Sequence, residues 1–270
     1  MLRTIDVREE VEKEVVGFGN GSIVYTPKRW IGQKVLVILE EKQLDIKGEV
    51  MEILKPHLGG VEGVFLFGSF ARNEQTENSD VDILVISDEK INLRKKGRLD
   101  FLVKTRGEFI QGMKRDPCLF LHQIVNEAKP ILNEPLLREL KQVGINPDFK
   151  EFFDSTLGAF KSTKELLDVG RKRGEKYLGS TACIYSLILR LRGLFLIQLF
   201  KKNQQFSTKK FIEFVKSRGF KEKTINDFLE IYRAERDNKK IIHKLLLVDA
   251  EKLFAAAKME FLKTEKMVKD

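Results

Sequence analysis

The stretch Gly68-Ser69-Phe70-Ala71-Arg72-Asn73-Glu74-Gln75-Thr76-Glu77-Asn78-Ser79-Asp80-Val81-Asp82 constrains this chain more than any other feature. A Gly-Ser pair ends one apolar run, ten residues follow, and two aspartates one residue apart head a second apolar run. Val61 to Phe67 (VEGVFLF) and Val81 to Ile86 (VDILVI) are short, rich in branched and aromatic residues, and bounded by turn-forming types. Both therefore predict strands. Residues i and i+2 of a strand point to one face, so Asp80 and Asp82 set two carboxylates side by side. Carboxylates held that close repel unless a cation lies between them. Hard oxygen donors of this kind suit Mg2+, completed by substrate phosphates.

A third acid fits the same place. Leu99 to Val103 (LDFLV) is another short apolar run, with Asp100 its one charge. Paired beside the first acidic strand, Asp100 reaches the same cluster. Three carboxylates from two strands beside a small Gly-Ser turn make the layout of two-metal nucleotidyl transfer. Gly68 permits a tight turn and close approach of phosphate. Ser69 and the amides that follow can bond phosphate oxygens. Arg72, one helical turn on, can neutralise phosphate with its planar fork.

The string resembles the nucleotidyltransferase superfamily related to DNA polymerase beta, in particular its minimal nucleotidyltransferases (MNT), many of them archaeal or bacterial. The resemblance rests on "GSFAR…SDVDILV" and the later acid on a strand. Asn73 stands where that group often has Gly, and Asn is the next most tolerant of left-handed backbone. The resemblance implies a Mg2+-dependent transferase with two ions at Asp80, Asp82 and Asp100. It also implies a nucleoside triphosphate, ATP, bound through Gly68, Ser69 and Arg72. AMP would pass to a hydroxyl of a protein, an RNA or a small molecule such as an aminoglycoside.

At 270 residues the chain is long enough for two compact domains and an appendage. Its two cysteines, Cys118 and Cys183, offer neither a disulfide framework nor metal-ligand spacing. With no signal peptide visible, a cytoplasmic location is expected. The apolar run Gly179 to Phe200 carries Arg190 and Arg192 in its middle, which predicts a buried helix and no membrane association. The formal charge of +9 is uneven. Residues 151–270 hold 26 Lys and Arg against 16 Asp and Glu, so the excess lies there and could attract RNA or DNA.

The expected fold is α+β: a β-rich segment over residues 1–43, a small mixed sheet with flanking helices over 44–145, and an all-α up-down bundle over 146–270. In the first segment, Val15 to Thr26 surrounds a Gly-Asn-Gly turn, Pro27 to Gly32 breaks the pattern, and Lys34 to Leu39 (KVLVIL) predicts a further strand. That segment resembles the AbrB-type swapped hairpin, which implies a homodimer and possible DNA binding. In the core, helices are predicted over Asp45 to Lys55 and Asp116 to Ala128. Beyond it, they are predicted over Phe149 to Arg171, Tyr177 to Phe200, Thr208 to Lys216, Ile225 to Tyr232 and Val248 to Val268.

Arg236 and His243 are separated by six residues and resemble the Arg-x(4–6)-His element of HEPN domains, helical bundles that accompany MNT domains. In their ribonuclease members such a pair cleaves RNA without a metal. The resemblance thus carries an alternative: a toxin–antitoxin-like fusion whose bundle binds or cleaves RNA under restraint by the transferase domain. In those systems a Tyr two residues past the His is modified with AMP; here that position is Leu245, so modification in cis is not available.

Overall fold

A computed structural model of the chain describes residues 8–38, 45–77, 79–116, 119–145, 147–240 and 244–269. Residues 1–44 and 45–270 are separate units. In the first, β1 (Val16–Phe18) and β2 (Gly21–Ile23) pair antiparallel around Gly19, whose φ of 55° suits glycine. A 3-10 turn over Lys28–Trp30 follows, held by Glu9, which pairs with Arg29 and accepts from Trp30 Nε1 at 2.9 Å. The strand predicted from Lys34 does not form over residues 34–38, and Leu39 lies outside the described residues. A strand needs a partner for its backbone groups, and among the described residues β1 and β2 pair only with each other.

The second unit begins with α1 (Ile46–Leu54), capped by the Asp45 carboxylate, which accepts from Gly48 N at 2.9 Å. A four-stranded sheet follows, built from β3 (Val61–Phe67), β4 (Val81–Ser87), β5 (Leu99–Thr105) and β6 (Lys129–Leu132) in the order β5-β4-β3-β6. β4 runs parallel to β5 and antiparallel to β3, and β6 is antiparallel to β3, so the sheet is mixed. Both faces are covered, which is why these strands read as near-continuous apolar runs. Val64, Val81, Ile83 and Val85 pack on Val50 and Leu54 of α1. Phe65, Leu84 and Ile86 pack on the opposite side against α3 (Arg106–Arg115), α4 (Phe120–Glu127) and α5 (Glu134–Lys141).

The short helix α2 (Gly68–Ala71) joins β3 toward β4. Three elements of this half lie outside the sequence expectations: α3, β6 and α5. The helix predicted from Asp116 starts at Phe120. Asp116 instead supplies a carboxylate that accepts from Leu121 N.

Residues 150–269 are dominated by five helices: α6 (Lys150–Lys172), α7 (Ala182–Lys201), α8 (Thr208–Lys216), α9 (Glu222–Arg236) and α10 (Leu247–Lys269). α7 packs against the other four, and Ile184, Leu187, Ile188, Leu191, Leu194 and Ile197 along it are almost wholly buried. It is long and apolar enough to cross a membrane, yet two thirds of it is buried within the protein. Its arginines are accommodated locally: Arg190 donates to Ser155 Oγ at 3.0 Å and Arg192 to Tyr232 Oη at 3.4 Å. Gly193 lets α6 and α7 close up, because a Cβ there would sit 2.5 Å from the Phe152 ring.

One polar cluster lies inside this apolar packing. Gln198 of α7 donates to Glu260 at 2.9 Å and to Thr264 at 2.8 Å, both on α10, and Arg218 reaches the other Glu260 oxygen at 2.6 Å. Glu260 is 3% exposed, so the Arg218 charge is what makes its burial tolerable.

Candidate functional site

β3 and β4 pair so that Phe67 faces Asp82, which brings the Gly68 turn onto that carboxylate. Gly68 adopts φ 74°, and a Cβ there would collide with Asp82 Oδ2. Glycine is therefore required twice, by backbone conformation and by space. Across the parallel pair, Asp82 is in register with Asp100. Asp80 lies two residues before Asp82, so the three acids share the sheet face that carries Leu84 and Leu102.

The electrostatics of this corner are unfavourable as it stands. Burial raises the Asp82 pKa from 3.8 to about 6, with further upward pushes from Asp100, Asp80 and Glu127 and a downward pull from Arg236. Desolvation and like charge act in the same direction. Asp80 is steadied by Lys95, 2.8 Å away, which holds that ammonium above the ordinary lysine range. Among the described residues, no three His, Cys, Asp or Glu side chains are drawn together closely enough to hold a metal ion in this arrangement. The donor set nonetheless fits a hard cation: carboxylate oxygens only, mutually repelling, with no soft ligand among them.

The turn after Gly68 is tied down from behind. Gly68 N donates to Glu127 Oε1 at 2.8 Å, and Arg72 Nη1 donates to Glu127 Oε2 at 2.7 Å. Arg72 Nε also reaches Glu74 at 2.8 Å, and the guanidinium lies over Phe206, 5.5 Å from its ring centre. Burial alone would lower the Arg72 pKa, but Glu127 and Glu74 more than offset it and raise it. Arg72, expected from the sequence to face phosphate, is thus held by two carboxylates of its own chain. Asn73 takes φ 56°, and its side chain accepts from Lys129 at 3.2 Å. Ser69 is half-buried on α2, and its carbonyl accepts from Glu74 N at 2.9 Å.

The helical half contributes to the same corner. Arg236, at the end of α9, bonds Asp237 at 2.7 Å; that bond raises its pKa, and the Asp82 charge adds to the rise. His243, its sequence-predicted partner, lies outside the described residues. Glu74 accepts from Thr208 N at 3.0 Å, and Arg72 and Arg192 both lie over Phe206. Lys95, Glu74 and Glu127 were not singled out by sequence reasoning. Glu127 sits 59 residues from the amide it binds, a separation that no local pattern encodes.

The sequence profile of the family "Polymerase beta, Nucleotidyltransferase" matches residues 48–135. In Methanocaldococcus jannaschii, "Putative protein adenylyltransferase MJ0435" is 35% identical over 99 residues, which is 37% of this chain and 95% of that protein. "Putative protein adenylyltransferase MJ0126" of the same organism is 47% identical over 53 residues, 17% of this chain and 54% of that protein. A crystal structure of a spectinomycin adenyltransferase from Enterococcus faecialis, with ATP and spectinomycin, aligns with 78% of this chain and 97% of its own. That alignment has 17% identity and a TM-score of 0.42. With the family profile matched on the segment that carries the Gly68 turn and the acidic strands, and a 35% identical relative covered over 95% of its length, this chain belongs to the polymerase beta nucleotidyltransferase family.

Proposed function

We propose that this protein transfers AMP from ATP to a hydroxyl group of a protein side chain. The observation that carries this reading is the register of Asp82 with Asp100 beside the Gly68 turn, which packs directly onto the Asp82 carboxylate. The choice of AMP and of a protein acceptor is supported by the names of the Methanocaldococcus jannaschii relatives. In the transfer, the acceptor oxygen attacks the α-phosphorus, the bond from that phosphorus to the oxygen bridging to the β-phosphate breaks, pyrophosphate leaves with that oxygen, and the hydroxyl proton passes to solvent. Asp80, Asp82 and Asp100 would hold Mg2+, which would supply charge neutralisation and a more acidic acceptor hydroxyl. Gly68 lets the turn close onto Asp82, and the Ser69 hydroxyl can donate to the triphosphate. Lys95 keeps Asp80 in place.

In this reading Arg72 and Glu127 position the turn, and Arg236, bonded to its neighbour Asp237, is the cation assigned to phosphate. Support for Arg236 in that role comes from the pull of its charge on Asp82. The alternative use of Arg236, metal-free RNA cleavage with His243, separates cleanly by experiment. Incubation with labelled ATP, Mg2+ and cell extract should label protein. Asp82→Asn should lower labelling by at least ~100-fold, the order expected when a group that stabilises transition-state charge is removed. Arg236→Ala should weaken labelling, with no RNA cleavage in EDTA by either form. Cleavage of RNA in EDTA, lost in Arg236→Ala while labelling persists, would transfer Arg236 to the other reading. The apolar N-terminal segment, Val35 to Ile38 included, is read as pairing with a second copy. Light scattering before and after removal of residues 1–43 tests that.

A further inference from the structure

Hydrogen bonds run without a break from the start of α8 to the Gly68 turn. Thr208 N donates to Glu74, Arg72 donates to Glu74 and to Glu127, and Gly68 N donates to Glu127. We propose that Glu74 is a positioning residue for nucleotidyl transfer, fixed in that role by the backbone amide of Thr208 in the helical half. This deepens the transfer reading and rests on it, since the turn matters to catalysis only if it serves the triphosphate.

The local backbone brings Glu74 to Arg72. Asn73 is left-handed at φ 56°, and Glu74 N donates back to Ser69 O at 2.9 Å, so the Glu74 carboxylate meets Arg72 Nε at 2.8 Å. Such a contact between near neighbours would hold little by itself. Thr208 adds the constraint. It is the first residue of α8, and its amide is one of those a helix leaves without an internal partner. Ser207 caps the Lys210 amide at 3.1 Å, which leaves Thr208 N to Glu74. Both Glu74 oxygens lie 3.0 Å from it, and the positive end of the helix dipole favours a carboxylate there.

These groups are shielded from water. The side chains of Arg72, Glu74 and Glu127 are 14%, 21% and 10% exposed, so their bonds are less screened than those of a surface pair. Phe206, two residues before Thr208, lies against the Arg72 guanidinium, so one connection supplies both an amide and a ring. Arg72 is thus gripped on two sides, and Glu127 passes the constraint to Gly68 N. The turn sits directly on Asp82, so a shift of Gly68 would move Ser69 relative to that acid. Small displacements of reacting groups cost rate more than affinity.

The test removes one donor. Proline is well tolerated at the first position of a helix, and Ser207 before it has φ −144° and ψ 154°, the extended backbone that a following proline favours. In the full chain, Thr208→Pro should speed hydrogen exchange at the Gly68 amide, followed by NMR without nucleotide, by at least about tenfold. Exchange along β4 should stay at the wild-type rate. The kcat for AMP transfer should fall by about tenfold, with KM for ATP changed by less than about threefold. Glu74→Gln, which sets an NH2 group against one of its two donors, should reproduce both changes. Adding Thr208→Pro to it should then do little more. Thr208→Ala keeps the amide and should leave Gly68 exchange unaltered. Should Thr208→Pro fold poorly, Glu74→Gln decides by the same readouts. Unchanged Gly68 exchange would overturn the proposal, and so would faster exchange along β4, the sign of general loosening. A raised KM with kcat intact would also overturn it, by making Glu74 a group that binds ATP. A wild type that transfers no AMP would defeat the transfer reading, while Gly68 exchange would still decide whether Thr208 governs the turn.

Discussion

Asp82 and Glu260 are both acids withdrawn from water, and the molecule treats them in opposite ways. Glu260, within the helices, is met by Arg218, Gln198 and, through its carbonyl, Thr264. Asp82, at the head of β4, faces Asp80 and Asp100, and its pKa rises to about 6. One carboxylate is neutralised by its own chain; the other is left in conflict beside a glycine turn. Structural acids are paired internally, whereas an acid held for a ligand is left short of a partner. The difference sets the helical scaffold apart from the acidic corner without reference to any relative.

The largest effect that would break this comparison is on the scaffold side. Arg218→Ala leaves Glu260 buried without its cation and should cost about 3–5 kcal/mol in unfolding free energy, measured by urea denaturation. A loss under about 1 kcal/mol would mean that the cluster is not what makes the burial tolerable.

The next effect has the opposite sign. Asp82→Asn removes a destabilising charge, so the variant should melt higher than wild type in metal-free buffer at neutral pH while losing transfer. The pH dependence follows from the direction of the shift. The Asp82 pKa is higher folded than unfolded, so the folded state favours the protonated acid. Its relative stability is fully present below about 3.8 and is lost as pH rises through about 6. The gap in melting temperature between variant and wild type should thus open between those values and stay open above them. A gap that closes with rising pH would show Asp82 to be paired in the folded protein.

The smallest effect concerns Cys183, a titratable group in the helical core. Burial pushes its thiol up to about 11. In a Cys118→Ser background, the native protein should resist a thiol reagent at pH 8 and react only on unfolding. Prompt labelling would mean that the α7 packing opens readily.

Much of the transferase half was legible because its signals are local. The β3 and β4 runs, the spacer and the period of the acids lie within 27 residues, and each follows from strand alternation or from glycine. Helices α6 to α10 were legible from apolar spacing, with ends displaced by a few residues. What escaped has identifiable causes. β6 carries Pro130, and a proline argues against a strand unless that strand is an edge, which β6 is. α3 is predominantly polar, and its start is written in a capping box from Thr105 to Glu108. The predicted strand at Lys34 failed in the other direction, since an apolar run makes no strand without a partner. Gln198, a polar residue in an otherwise apolar stretch of α7, was the available hint of the Glu260 cluster. Arg218 gave none.

The bond from Thr208 N to Glu74 spans 134 residues, and Phe206 beside it receives the Arg72 guanidinium. During synthesis from the N-terminus, strands β1 to β6 and the acids at positions 80, 82 and 100 emerge from the ribosome long before that amide exists. The nascent transferase half therefore has its carboxylates but not the tether that holds the outer end of its glycine turn. The finished turn arrives only with the α7–α8 connection, so a chain released early carries the acids without the brace. Order of manufacture alone thus delays the completed corner until most of its helical companion has been made.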